Sequence, residues 1–160
     1  MTNRNEEERL HGLRQILGTA GARYEIFSHA DTVRSAEDGV QQGIGHLDEM
    51  APTLILETEK GLLAAILSGG TRLSYKKIKK ALGLKNVALA RPERVYEATG
   101  AEVGEVSLIN PGFVTVIDIR LPDVVYGGCG IPRHTLCIHR EDLIRVTQAS
   151  VFDLADTQGA

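Results

Sequence analysis

Tryptophan is absent from this sequence of 160 residues, and aromatic side chains are scarce. Three Phe and four Tyr make up 4% of the chain, so aliphatic side chains must build the core. A surface on which single-stranded bases stack needs exposed aromatic rings, and this composition argues against such a surface. Hydrophobic residues still amount to 42% of the chain, which is enough for one sizeable core and little for two. We therefore predict a single domain over residues 1–160.

An excess of positive charge is also missing. The chain has 18 Lys and Arg against 21 Asp and Glu, a formal net charge of −3, so no global positive field attracts nucleic acid. Any contact with nucleic acid must then be local. The densest basic cluster consists of Arg72, Lys76, Lys77, Lys79, Lys80 and Lys85. These side chains could meet phosphate groups, although a lysine-rich helix face is more often simply solvated.

Long hydrophobic runs and cysteine motifs are absent as well. No segment reaches the roughly 18 apolar residues that a bilayer-spanning helix needs, and the polar segment 1–9 lacks the apolar centre of a secretory signal. We therefore expect a soluble, cytoplasmic protein with no membrane partner. Cys129 and Cys137 lack the paired spacing of a zinc site, so we expect reduced thiols, no metal site and no cofactor.

Apolar periodicity and turn residues predict that helices alternate with hairpins. Helices are predicted at 6–17, from Ser35 to Gly43 or Gly45, from Ser74 to Gly83, from Pro92 to Gly100, and at 140–145. Strands are predicted at 24–28, 53–57, 62–67, 85–90, 113–119, 124–126, 134–139 and 146–154, with a loose tail at 156–160. Because helices interleave with hairpins and not with single strands, an α+β fold with a mixed β-sheet is favoured over a doubly wound parallel sheet.

A loop with two glycines separates the helix that ends near Gly100 from the apolar run 113–119. Glycine can take positive φ and lets another molecule approach the backbone, so this loop, and Gly104 in particular, could present amide N–H groups to a ligand. It is therefore a candidate pocket wall. The alternative is an ordinary turn between a helix and a strand.

Several short segments occur together in one order along the chain: His29, Thr53-Leu54, 67–70, 73–82, 90–93, Thr99-Gly100, Gly104, Asp118 and 128–130. In this order the sequence resembles the YbaK / prolyl-tRNA synthetase-associated domain family, which comprises free-standing and inserted aminoacyl-tRNA editing domains. The match covers residues 24–154 in one register with few gaps. It is therefore far more specific than any single motif within it.

The resemblance implies a YbaK-like α+β fold in which a barrel-like mixed β-sheet core is flanked by helices. It also implies a pocket for the 3′ end of a mischarged tRNA and a trans-editing deacylase activity. In that reaction, the ester between a wrong amino acid and the terminal ribose is hydrolysed. The expected partner is the tRNA acceptor end, and an aminoacyl-tRNA synthetase could be a second one.

Two positions depart from the family pattern. The family's pocket lysine opens a strand in a Lys-Thr-Leu context, which here reads Pro52-Thr53-Leu54. Proline carries no charge and donates no hydrogen bond. The family's Gly-x-x-x-Pro loop keeps its glycine as Gly104 but has Leu108 in place of the proline. Neither change disturbs the apolar periodicity of the core, so fold and activity are separate questions.

Two functions therefore stay open. An aminoacyl ester is already activated, and stabilisation of the tetrahedral oxyanion is often the largest catalytic contribution, so a backbone amide at Gly104 could suffice for hydrolysis. Alternatively, the chain is a catalytically silent module that binds a tRNA 3′ end, a nucleotide or an amino acid. Pro52, at the position of the catalytic lysine, favours this second function.

The predicted substrate-binding residues are His29, Thr53, Ser68, Gly69, Gly128, Cys129 and Gly130. His29 could orient the substrate or serve as a structural hydrogen-bond donor. Ser68 and Gly69 could hold the ammonium group or the ribose, or could simply form a turn. The segment 128–130 could approach the substrate closely, and the alternative for Gly127-Gly128 is a loop between two strands.

Cys129 lies between two glycines, and a thiol near His29 or His134 could act as a nucleophile. A small buried cysteine is more often inert packing. The family resemblance implies no covalent intermediate, so we expect the inert role.

Overall fold

Five α-helices and ten β-strands occur in residues 4–157, the part of the chain that this computed structural model describes. The helices are α1 (Arg4–Thr19), α2 (Ala36–Gln41), α3 (Tyr75–Leu82), α4 (Pro92–Thr99) and α5 (Arg140–Thr147), and a short 3-10 helix covers Leu47–Glu49. The strands are β1 (Tyr24–Ser28), β2 (Thr53–Thr58), β3 (Gly61–Ile66), β4 (Thr71–Leu73), β5 (Val87–Leu89), β6 (Val114–Asp118), β7 (Val124–Gly128), β8 (His134–His139), β9 (Ser150–Phe152) and β10 (Ala155–Thr157). The predicted α+β class is confirmed.

The strands form three sheets, of which the largest is mixed. Its five strands lie in the order β5-β2-β3-β6-β9. Strand β2 is antiparallel to β3 and β5, whereas β6 is parallel to β3 and β9. A three-stranded antiparallel sheet has the order β1-β8-β7, and β10 pairs with β4. The first two sheets meet where the Ala51 N–H donates to Tyr126 O at 2.8 Å, so the start of β2 lies against β7.

Local signals begin and end several helices where the sequence predicts. Ser35 caps α2 and Ser74 caps α3, each through a hydroxyl that accepts a backbone N–H of the first turn. Gly83 and Gly100 end α3 and α4 with left-handed φ values of 64° and 74°, a conformation that glycine adopts without a Cβ clash. The predicted hairpin is also present as the antiparallel pair β2 and β3.

The region before the C-terminus differs from the prediction. A strand over 146–154 is wrong at its start, because α5 continues to Thr147 and only Ser150–Phe152 forms β9. The Thr147 hydroxyl donates to Leu143 O at 2.7 Å, and Val146 packs against the core. In the helical conformation, Thr147 thus has a hydrogen-bond acceptor and Val146 has a packing surface. These contacts outweigh the preference of both β-branched residues for strands.

The predicted loose tail at 156–160 is wrong for its described part. Strand β10 pairs with β4, a strand that the sequence analysis did not predict. The Lys77 Nζ lies 3.2 Å from a carboxylate oxygen of Asp153 and of Asp156, which ties α3 to this segment and neutralises one lysine of the basic cluster. Residues 158–160 lie outside the described residues.

Aliphatic side chains fill three core clusters, as the scarcity of aromatic residues requires. The first lies between the three-stranded sheet, α1 and α5. The second lies between the large sheet and α3, and β10 contributes to it. The third lies on the opposite face of β2 and β3, under α4 and the segment 101–106. The segment 101–106 is therefore packed against this core where it leaves α4, and it then runs toward β7.

A buried carboxylate ties the end of β6 to the chain before β10. Asp118 is 0% exposed. Its Oδ1 accepts hydrogen bonds from the Leu154 N–H at 2.8 Å and from Arg120 Nη1 at 3.0 Å, and its Oδ2 accepts from the Arg120 N–H at 3.0 Å. The charge is paired and hydrogen-bonded, as burial requires. Although Asp118 belongs to the segments that carry the family resemblance, its contacts give it a structural role.

A second carboxylate joins α5 to the chain before β1. Asp142 Oδ2 accepts from the Arg23 N–H at 2.8 Å and from Arg23 Nε at 3.0 Å, and its Oδ1 accepts from Arg145 Nη2 at 3.0 Å. The hydrogen bonds from Arg23, and after them the one from Arg145, hold the pKa of Asp142 well below its usual value. The ionised form therefore fastens α5 in place.

Replacing Asp118 with alanine should lower the free energy of unfolding by about 2–4 kcal/mol, because the Leu154 N–H and the Arg120 guanidinium lose their acceptor. Asp123→Ala is the matched control. The Asp123 side chain is 97% exposed and approaches Arg140 only to 3.8 Å, so the change should stay within about 0.5 kcal/mol. Urea unfolding followed by circular dichroism measures both, and equal effects would contradict the role given to Asp118.

Acid should weaken the fold through Asp142. Its pKa is depressed in the folded state, so its contribution to stability is complete above the unfolded pKa of about 4 and is lost as the pH falls through the folded pKa. Asp142→Asn cannot titrate. The gap in urea midpoint between wild type and this variant should be largest near neutral pH and should narrow toward about pH 3. A gap that stays constant over that range would show that the ionised carboxylate is not the cause.

Candidate functional site

A cleft of about 160 Å³ opens where the start of β2 and the ends of β1 and β7 meet the loops before α2 and after α4. Its apolar lining comprises Val33, Ala36, Ile44, Met50, Ala51, Pro52, Leu54, Val103, Val106 and Ile131. The remaining lining residues are His29, Arg34, Ser35, Thr53, Gly104, Glu105, Tyr126, Gly127, Gly128, Arg133, His134 and Thr135. Four predicted site residues, His29, Thr53, Gly104 and Gly128, therefore lie together in this cleft.

Gly104 forms one wall of the cleft because its loop packs directly on the backbone before α2. Its φ is +91°, and a Cβ built on it would lie 2.9 Å from Arg34 Cα and would contact Arg34 O. Only glycine fits both the conformation and the space. Among the hydrogen bonds of residues 4–157, none is donated by the Gly104 N–H or the Val106 N–H. Two peptide groups of this wall thus keep their donors available.

Two glycines of β7 let the same segment approach from the other side. A Cβ on Gly127 would lie 2.6 Å from Leu108 Cγ, and a Cβ on Gly128 would contact Val106 O. The Leu108 N–H donates to Gly128 O at 2.9 Å. Strand β7 therefore continues past its predicted end at Tyr126, and these glycines belong to a strand and not to a loop. Leu108, in place of the family proline, uses its N–H for this bond.

Thr53 brings an unpaired hydroxyl to the cleft. Its Oγ1 is inaccessible to solvent and has no hydrogen-bond partner among residues 4–157. A buried hydroxyl without a partner costs stability, and this one lies in a residue that lines the cleft. Pro52, beside it, also lines the cleft, and its carbonyl accepts from the Leu67 N–H at 3.1 Å. The residue in the lysine position is therefore at the site and carries no charge.

His29 is held by hydrogen bonds on both sides of its ring. Nδ1 lies 2.6 Å from Asp31 O and Nε2 lies 2.9 Å from Thr135 Oγ1. Since a carbonyl only accepts, Nδ1 carries a proton, and in the neutral ring Nε2 accepts from the Thr135 hydroxyl. His29 therefore has the structural role of joining β1 to β8, and because it also lines the cleft, a role in orienting the substrate stays a prediction.

Ser68 and Gly69 lie outside the cleft lining. The Ser68 hydroxyl donates to Asp48 O at 2.6 Å, and the Gly69 N–H donates to Met50 O at 2.6 Å. Both residues are buried and pack against the segment that carries the short 3-10 helix. Their position supports the interpretation as a structural turn. They hold Met50, which does line the cleft.

Cys129 packs in the core behind the cleft. It is 5% exposed and belongs to the cluster between the three-stranded sheet, α1 and α5. Burial raises the pKa of its thiol to about 11, so the thiolate needed for nucleophilic attack is scarce at neutral pH. His29 and His134 line the cleft, whereas Cys129 does not. The inert role is the one its surroundings favour.

Gly130 also lies behind the cleft, in a tie made by a helix α1 side chain. The Arg9 guanidinium donates to Gly100 O at 2.9 Å and to Gly130 O at 3.1 Å. The Gly130 N–H donates to Glu105 O at 3.1 Å. Gly130 therefore supports the Gly104 wall from behind and does not line the cleft.

Positive charge reaches the cleft from two loops that the sequence analysis did not single out. Arg34 precedes α2 and Arg133 precedes β8, and both line the cleft. Burial is the main cause that raises the pKa of the Glu105 carboxyl above its usual value. The positive charge of Arg34 interacts with this carboxyl and opposes part of the rise. The two arginines lie far apart in sequence and in no motif, so no spacing signal could have identified them.

Two further properties concern residues 4–157. No helix in this part combines the length and apolarity needed to cross a bilayer. The same residues contain no group of three or more His, Cys, Asp or Glu side chains placed to hold a metal ion.

Comparison with known proteins gives one family match and several relatives. The aminoacyl-tRNA editing domain family matches residues 30–146. A proline–tRNA ligase of Moorella thermoacetica is 37% identical over 87 residues, which are 54% of this chain and 15% of that protein. The chain thus spans a small part of that relative.

Solved structures share the fold over nearly the whole chain. The crystal structure of "a putative trans-editing enzyme for prolyl tRNA synthetase" has a TM-score of 0.82 at 24% identity, covering 97% of this chain and 99% of its own. The hypothetical protein APE2540 has a TM-score of 0.83 at 28% identity, covering 90% and 99%. Since the family match includes β2, the Gly104 wall, β7 and β8, which together form the cleft, the chain belongs to the aminoacyl-tRNA editing domain family.

Proposed function

We propose that this protein is a trans-editing deacylase that hydrolyses the ester of a mischarged tRNA whose 3′ end enters the cleft. The observation that carries the proposal is the Gly104 wall. Two amide groups without acceptors within residues 4–157 belong to a cleft whose lining is largely apolar. Fixed backbone donors in an apolar site favour an oxygen on which negative charge develops, and the chain belongs to an editing family.

The proposed reaction needs water and backbone donors. Water adds to the ester carbonyl carbon and loses a proton, which places negative charge on the former carbonyl oxygen. The bond from carbon to the ribose oxygen then breaks, and the ribose oxygen takes up a proton, leaving free amino acid and uncharged tRNA. The Gly104 N–H donates to the charged oxygen, a contribution of about 3 kcal/mol in comparable sites.

The other cleft residues would position the substrate. The Thr53 hydroxyl is buried and unpaired among residues 4–157, so a rotation of its side chain toward the cleft would give it a ribose or an ammonium group as a hydrogen-bond partner. His29 keeps the β1 end of the cleft in place through its bonds to Asp31 and Thr135. Gly128 has no side chain and so lets Val106 O pack closely on β7, which keeps the wall of the cleft in place.

The proposed partner is the acceptor end of tRNA, and an aminoacyl-tRNA synthetase could deliver it. The relative from Moorella thermoacetica is a proline–tRNA ligase, so mischarged tRNA for proline is the first substrate to test. Lys77 is paired with two aspartates, which leaves Lys76, Lys79 and Lys80 of α3 as the cations available to the tRNA body.

A second candidate function is a silent binding module for a tRNA 3′ end, a nucleotide or an amino acid. Pro52 favours it, because the cleft has an uncharged residue at the family's lysine position. Binding of an aminoacyl-adenosine analogue together with the absence of turnover would support this alternative. The absence of both binding and turnover would instead indicate a structural or partner-binding domain.

Gly104→Ala should reduce single-turnover deacylation by about 100-fold, because the wall must move away from Arg34 and its amide loses its position. Gly112→Ala is the matched control. Gly112 lies in the same connection with a φ of +89° and nothing within 4 Å of a Cβ, so it carries the same backbone strain without displacing the wall. A panel of mischarged tRNAs is the substrate. Equal rates in both variants would contradict the role of Gly104, and no hydrolysis by wild type at high concentration would refute the enzyme.

Pro52→Lys should raise deacylation by about tenfold, because an ammonium group at the cleft stabilises negative charge on the substrate. Pro52→Met serves as the control, since it also removes the ring but adds no charge. The rates of both variants are compared with wild type at several salt concentrations. A gain in Pro52→Met as large as in Pro52→Lys would show that charge is not what the position lacks.

A further inference from the structure

Arg133 has a backbone conformation that is unusual for its residue type. Its φ is +60°, and Gln148 is the only other residue of 4–157 apart from glycines with positive φ. Gln148 ends helix α5, where this conformation is common. Arg133 ends no helix, so glycine would be the relaxed choice at this position. The strained conformation supports a hypothesis of function.

The turn around Arg133 is fixed by neighbours on both sides. Arg133 O accepts from the His29 N–H at 2.9 Å. The ring of His134 bonds back to Pro132 O at 2.9 Å through Nδ1. Because these hydrogen bonds hold the backbone, the Cα and Cβ of Arg133 have a defined position beside the cleft.

The Arg133 guanidinium has no hydrogen bond or ion pair with any of residues 4–157, and Arg133 is exposed. Five other guanidinium groups in this range, those of Arg9, Arg23, Arg120, Arg140 and Arg145, each bind carbonyl or carboxylate oxygens, and none of these five residues lines the cleft. Arg34, which also lines the cleft, has Glu105 as an electrostatic partner. Arg133 is therefore the lining cation whose charge stays uncompensated.

An exposed arginine at the cleft suits a group that is anionic and stays partly hydrated. The planar guanidinium binds two oxygens of a phosphate at once, which an ammonium group does not. The phosphodiester that links a terminal nucleoside to the next nucleotide is such a group, and Arg133 lines the cleft that would receive this nucleoside.

We propose that Arg133 binds the phosphodiester next to the terminal adenosine and so supplies the positive charge that Pro52 lacks. This inference rests on the proposed function. It makes Arg133 a substrate-binding residue and predicts that the phosphate, and not only the aminoacyl-adenosine, contributes to recognition.

The test compares two analogues that cannot be hydrolysed, because an amide replaces the ester. One is aminoacylamido-adenosine, and the other carries the same unit joined through its 5′ phosphodiester to cytidine. Wild type should bind the second about tenfold more tightly. Arg133→Gly should bind both equally, and its dependence on salt should fall by about 0.7 in the log–log slope. Arg133→Lys should keep part of the preference.

Two features of the design separate binding from folding. Arg133→Gly removes the strained side chain, so its melting temperature should equal or exceed that of wild type. Arg91→Ala removes another exposed arginine that does not line the cleft, and it should keep the full preference for the phosphodiester.

Each outcome of this experiment either supports or overturns the proposed role of Arg133. A preference that survives in Arg133→Gly, or is equally lost in Arg91→Ala, overturns the role of Arg133 and leaves the proposed function standing. Wild type that binds both analogues with equal affinity also overturns that role. Wild type that binds neither analogue refutes the proposed function together with this inference.

Discussion

The cleft depends on how closely the segment 104–108 lies against two neighbouring backbones. On one side Gly104 packs on Arg34, and on the other Gly127 and Gly128 receive Leu108 and Val106. Side chains at these glycines would push the segment away from β7 or from the loop before α2. Since the three glycines set the width of the cleft, they fix which amide groups a ligand can reach. The apolar cores behind it keep this arrangement rigid.

Local chemistry in the sequence was sufficient to predict most elements. The hydroxyls of Ser35 and Ser74, Pro92 at the start of α4, and glycines at the ends of α3 and α4 act within a few residues, so they can be read without knowing the fold. Strands β4 and β10 could not be predicted in this way. Each has only three residues, and their pairing joins segments more than 80 positions apart. Non-local contacts of this kind leave little signal in a short stretch of sequence.

Site residues could be predicted where the family resemblance pointed to a position in the sequence. Residues that reach the cleft only through the tertiary fold could not be predicted. His29, Thr53, Gly104 and Gly128 do line the cleft. Gly130 and Ser68 are neighbours in sequence of residues near the cleft, but they support the cleft from outside its lining. A glycine or serine motif does not show which backbone segment will pack next to it, so the sequence could not distinguish the two positions. Arg34 and Arg133 come from separate loops. Their charge at the cleft follows from tertiary structure alone.

The guanidinium group of Arg9 holds part of the cleft from a helix that lies outside the residues matched by the family. Arg9 binds the carbonyl oxygen of Gly100, which precedes the segment 104–108, and that of Gly130, which follows β7. Helix α1 precedes residue 30, at which the family match begins. The geometry of the cleft therefore depends on a helix outside the matched range, and a fragment trimmed to residues 30–146 would lose that brace.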